Sequence, residues 1–144
     1  MVTVYQSRPI TDAVLASLNA GGILVGDGVK PVGGGWSGTA GASTFVPYIV
    51  LYSMPVGTID GPLMDPQADV EARYSINAVG MSRKQTDTLA DKARIVMLST
   101  AVNVTGRTVL RIAWLTQVGI GRDDESDPPI WVAADRYAAM STPT

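Results

Sequence analysis

The chain has 144 residues, 11 of them basic and 13 acidic, a net charge of −2, and neither cysteine nor histidine. That length fits one domain, and a domain of this size buries roughly 70% of its unfolded surface, so folding needs no staple. The missing residue types exclude disulfides, thiolate and imidazole metal sites, cysteine nucleophiles and Ser-His-Asp triads, and the scattered arginines and lysines form no stripe to hold a phosphate backbone.

The opening residues MVTVYQSRPI lack a basic region followed by an apolar one, so no secretory signal is read there. The longest apolar runs, around Ile49 to Leu51 and Ile95 to Leu98, fall far short of the roughly 20 residues of a membrane span. The chain is expected to be soluble and made in a cytoplasm. Thr11 is the expected cap of a first helix, in which Val14 and Leu18 share a face, and Gly21-Gly22 stop it. Ile23 to Val32, punctuated by Gly26, Asp27, Gly28 and Pro31, reads as a bent or edge strand.

The small-residue stretch GGGWSGTAGAST, residues 33–44, has neither helical nor strand period and reads as an exposed, mobile loop carrying Trp36. FVPYIVLYSM, Phe45 to Met54, is a strand with Pro47 near its start or on a sheet edge. A Pro/Gly-rich turn follows to Pro66. Val70, Ala72, Tyr74, Ile76 and Ala78 then alternate with Glu71, Arg73, Ser75 and Asn77, the period of a strand with one buried face.

The period changes at Gly80-Met81. Ser82 and Gln85 make a capping box for a second helix, in which Leu89, Ala93, Val96 and Met97 form the apolar stripe and Arg83, Lys84, Asp87, Asp91 and Arg94 lie mostly outside it. Thr108 to about Gly119 is a strand with Leu110, Ile112, Trp114, Thr116 and Val118 expected on one face. A polar turn from Arg122 to Pro129 leads into a last strand, with Trp131, Ala133, Asp135 and Tyr137 opposite Val132, Ala134 and Arg136; the two segments read as an antiparallel hairpin. The expected architecture is a single α+β domain over residues 1–144, with one mostly antiparallel sheet of about four to five strands and two helices packed on one face.

Several motifs fall short of a site. Gly33, Gly35 and Gly38 have the spacing of a dinucleotide loop, but no helix begins there to supply donors to a pyrophosphate. Asp123, Glu125 and Asp127 alternate as calcium-loop ligands do, yet Pro128 takes the place of the turn glycine and Ala134 that of the bidentate glutamate. Ser37 in GWSGT lacks the last glycine of a nucleophile elbow, and no histidine exists to activate it. Asp60, Asp65, Asp69, Glu71, Asp87 and Asp91 are carboxylates without an apolar context that raises a pKa. No catalytic residue, cofactor or metal ligand is therefore assigned.

The order of elements carries more than any motif. A first helix, a small-residue loop, the strand FVPYIVLYSMP, a Pro/Gly turn, an alternating strand ending in VG, the helix SRKQTDTLADKARIVM and a closing hairpin resemble the tail terminator (tail completion, neck) proteins of long-tailed bacteriophages. The likeness runs from about Ile10 to Tyr137, most clearly in Val46 to Val50 together with Ile76 to Leu98. The resemblance implies a non-enzymatic virion protein of the tail or neck, assembled in the host cytoplasm as a hexameric ring. That ring caps the tail tube, joins it to the head connector or stopper protein, and lets genomic DNA pass without sequence-specific binding. A closed ring needs two different patches on each subunit. Glu71, Arg73, Arg111 and Arg136, projecting from the polar sides of strands, are the expected subunit contacts. Trp36 and the acidic turn residues Asp123, Asp124, Glu125 and Asp127 are the expected partner or lumen loops. The alternatives are another neck or tail-tube ring subunit and, from a different class, a small carboxylate-based enzyme or ligand-binding domain.

Overall fold

The computed structural model describes residues 6–38, 44–54, 57–58, 69–99, 102–125 and 129–144, with side chains at all of these except 57, 58, 110 and 111. Helix α1, Ser7–Ala20, buries Ile10, Val14 and Leu18 at intervals of four residues, the repeat that keeps side chains on one helix face. It begins a turn earlier than Thr11. Pro9 fits in the first turn, where its missing N–H has no intrahelical partner to lose. Thr11 is no cap: its hydroxyl is buried and lies 3.2 Å from the Tyr74 hydroxyl. At the other end the Ile23 N–H donates to Leu18 O (3.2 Å) while Gly22 takes φ of +78°, a left-handed ending that glycine adopts without steric cost.

The strands are β1 (Val25–Asp27), β2 (Gly35–Ser37), β3 (Thr44–Val46), β4 (Tyr48–Ser53), β5 (Gly57–Thr58), β6 (Val70–Gly80), β7 (Asn103–Val104), β8 (Arg107–Asp123) and β9 (Ile130–Pro143). Seven of them form one sheet in the order β1-β4-β6-β9-β8-β7, with β5 also on β6. β1 runs parallel to β4 and is an edge strand; the other pairings are antiparallel. β2 and β3 make a separate ribbon, so the glycine-rich stretch contributes a strand; its residues 39–43 lie outside the described residues.

The four- to five-stranded sheet backed by two helices is thus overturned. Strand makes up half of the chain, in a curled, mixed sheet shaped as a half-barrel, and the two helices are the minor part. β1 is the edge strand expected within Ile23 to Val32; the unexpected members of the sheet, β5 and β7, have two residues each, too few for an alternation to be read. The curl accompanies three register shifts between β8 and β9, at Val109/Arg111, Trp114/Thr116 and Val118/Gly121, since each bulge bends its strand and adds local twist. Consistent with the curl, α1 touches β1 and β7, strands from opposite edges of the sheet.

The bulges also divide the expected single face of β8. Trp114 stays opposite Tyr137, whereas Thr116 and Val118 fall opposite Arg136 and Ala134 on the other side of the sheet, because one inserted residue flips every side chain beyond it. The main core joins α1, the even residues Ala72 to Ala78 of β6, Ile49 and Leu51 of β4, Ala133, Tyr137 and Ala139 of β9, and Ala90, Ala93 and Met97 of α2 (Arg83–Ser99). The stripe of α2 is rotated from the expected one: Thr86 and Ala90 are buried, and Leu89 and Val96 only partly so. Its start is as the residues dictate, with the Gln85 N–H donating to Ser82 Oγ (3.2 Å) and Gln85 Oε1 accepting from the Met81 N–H (2.7 Å). A Cβ on Gly80 would stand 2.5 Å from Thr86 Oγ1 and 2.9 Å from its backbone nitrogen, so strand and helix approach closely at a residue without a side chain.

Candidate functional site

The odd residues of β6 face away from the helices. Glu71, Arg73 and Ser75 stand opposite Met140, Ala138 and Arg136 of β9, so three of the four expected contact residues, Glu71, Arg73 and Arg136, share one face of the sheet. Arg73 Nε lies 3.4 Å from Glu71 Oε1 in a largely solvated pair, which contributes about 0–1 kcal/mol. Arg111 is paired with Met140 in the backbone register, and its side chain lies outside the described residues.

One end of this second face is covered. Phe45, Tyr48, Val50 and Val79 form a small cluster with Leu24, Ile130 and Val132 against them. Trp36 of β2 packs edge-on against Phe45, with ring centroids 5.3 Å apart. The tryptophan expected in a mobile loop is therefore part of an aromatic lid at this end, although it keeps 38% exposure. The rest of the face combines small residues (Ser75, Ala134, Ala138, Ala113) with Arg73 and Arg136. Tyr52, Val118 and Met140 stand exposed on it. Along the neighbouring edge, β7 pairs among the described residues with Arg107 and Thr108 of β8. Among the described residues no strand accompanies β8 beyond that point, where Trp114 and Leu115 are nearly half exposed. Chain edges of this kind offer unpaired backbone groups, and bulges guard them against unspecific strand addition.

The acidic turn sits at the end of the β8–β9 hairpin. Asp123 Oδ1 accepts from the Glu125 N–H at 3.0 Å, and Arg122 Nε is 2.7 Å from Asp124. Asp127 lies outside the described residues. At the same end of the sheet, since Gly80, Trp131 and Arg122 are in register, the start of α2 opens onto a groove of about 410 Å³. Pro47, Ser82, Lys84, Gln85, Thr88, Leu89 and Lys92 line it. Lys92 Nζ is 3.4 Å from Gly22 O, and among the described residues neither lysine pairs with a carboxylate.

Sequence reasoning missed one polar cluster. Arg94 does not point to solvent: its Nη2 is 3.4 Å from Asp135, its Nη1 3.1 Å from Asp91, and its guanidinium sits 4.2 Å above the Trp114 ring. Asp135 is 2% exposed and accepts from Trp114 Nε1 at 3.3 Å. Burial raises the Asp135 carboxyl pKa; Arg94 and the indole N–H oppose that rise only in part. For Arg94, burial pulls its pKa down, but Asp135, Tyr137 and Asp91 outweigh it and the net shift is upward. Burial also drives the Tyr137 phenol up, reinforced by the Asp135 charge. The signal available in the sequence was Asp135 itself, a carboxylate on the apolar parity of β9. This cluster ties α2 to the β8–β9 hairpin. Among the described residues no group of three or more Asp or Glu side chains is placed to hold a metal ion, and no helix is long and apolar enough to cross a membrane.

Comparison with protein families and with curated proteins found no match to this chain.

Proposed function

We propose that the protein is a phage tail terminator: a structural subunit that closes into a hexameric ring, caps the tail tube and joins it to the head connector. The observation that carries this reading is the uneven coverage of the sheet. One face is packed by both helices, while the other leaves Arg73, Arg136, Tyr52, Val118 and Met140 solvated beside a long β8 edge with exposed Trp114 and Leu115. A mixed polar and apolar surface on two adjoining flanks is what a heterologous contact uses, with large residues providing area and arginines providing register. The element order, from the first helix to the closing hairpin, supports the same reading. In this role the partners are other copies of the chain, the tail tube protein and the connector, and DNA passes through the lumen without base readout.

The test is capping. Purified protein added to tail tubes is expected to bind one end and stop further tube growth, seen by electron microscopy as a terminal annulus. Tubes that lengthen unchanged with no terminal density would contradict the role.

A further inference from the structure

We propose that the groove at the start of α2 receives Asp124 and Glu125, just beyond the end of β8, from a second copy of this chain. The inference rests on the ring reading and specifies where neighbouring subunits lock.

Three observations carry it. The groove presents Lys84 and Lys92 without carboxylate partners among the described residues, and none of its lining residues is acidic. The opposite charge stands at the end of β8: Glu125 is exposed, and among the described residues Asp124 pairs only with Arg122, in a solvated contact that exchanges partners at little cost. The two features also stand at the same end of the sheet on opposite flanks of β6. Asp124 and Glu125 continue the β9 and β8 side through the Gly80–Trp131–Arg122 register, and the groove includes Pro47, next to β4 on the other side. Two complementary patches at one level and on opposite flanks generate a head-to-tail contact, the kind that closes into a ring when the rotation fits. A volume of about 410 Å³ lies within the range of small-ligand sites, room for the two acidic side chains. Pro47 and Leu89 add apolar lining beside the two lysines. The acidic pair fixes register, while exposed Leu115 and Val118 of β8 add the apolar area a stable interface requires.

Charge reversal tests this. Lys84, Lys92, Asp124 and Glu125 are all exposed, so Lys84→Glu/Lys92→Glu and Asp124→Lys/Glu125→Lys are expected to fold, which circular dichroism checks. Each pair alone is expected to weaken self-association by about a hundredfold or more in sedimentation velocity, since like charges then meet across the interface. All four changes in one chain are expected to restore it. Loss without restoration would overturn the proposal, as would a wild-type assembly indifferent to all four changes; that second result leaves the ring reading standing. Intact rings that no longer bind tail tubes would assign the groove to the tube protein and overturn the second-copy occupant. A wild-type chain that stays monomeric even on tail tubes would overturn both.

Discussion

Arg94 bridges Asp91, Asp135 and Trp114, and its worth depends on these partners. With Asp135 almost fully buried, removing the guanidinium strands a carboxylate in apolar surroundings. Arg94→Leu is therefore expected to cost about 3–5 kcal/mol of stability at neutral pH in urea titrations. Arg94→Leu combined with Asp135→Leu is expected to return to within about 1 kcal/mol of wild type, because the pair as a whole gains little over well-packed apolar groups. Equal losses in the single and double variants would contradict this coupling.

The same carboxyl sets a pH dependence with a definite sign. Its folded pKa is raised, so the folded state holds the proton more tightly than the unfolded chain. Its contribution is fully present below the unfolded pKa of about 3.9 and is lost as pH rises through the raised folded value. The stability of wild type minus that of Asp135→Asn is expected to fall with rising pH across that window, with a slope of at most about 1.4 kcal/mol per pH unit. A difference that is flat or grows with pH would contradict it.

At the scale of elements, the junction between β6 and α2 is where local residues decide most. Ser82→Ala removes the acceptor for the Gln85 N–H and is expected to cost about 1 kcal/mol. Gly80→Ala pushes a methyl group against Thr86, including its backbone nitrogen, and is expected to cost about 1–3 kcal/mol. Thermal melts of the two variants rank these effects, with Gly80→Ala expected to be the lower. This junction was legible in the sequence because strand alternation, a glycine and a capping pair all lie within a few residues. The β8–β9 hairpin was legible too, but its side-chain facing was not. Inserted residues in β8 leave the composition strand-like while reversing parity beyond each bulge, so the alternation alone puts Thr116 and Val118 on Trp114's side of the sheet, where the register does not. Arg94 does lie outside the buried stripe of α2, but its pairing with a buried partner left no sign in the sequence. A charge beside an apolar stripe reads as solvated until a buried partner on a distant strand is seen, and Asp135 lies 41 residues away.

For the whole molecule, the largest difference from expectation is the sheet itself. The added strands β5 and β7, of two residues each, carry too little pattern to be recognised, while their pairing depends on long-range register. The result is a half-barrel whose concentrated core is closed by two helices, with the face bearing Glu71, Arg73 and Arg136 left largely to solvent. Glu71, Arg73 and Arg136, three of the four expected contact residues, stand on that face. The groove with Lys84 and Lys92, by contrast, could not be seen from sequence, because it joins the start of α2 to Pro47 across the fold.

The central claim is that this surface serves copies of the chain. Native mass spectrometry of the protein, alone and after release from capped tail tubes, measures that most directly. The account predicts a closed assembly of six chains in at least the tube-derived sample; a chain that remains a single subunit in both would contradict it.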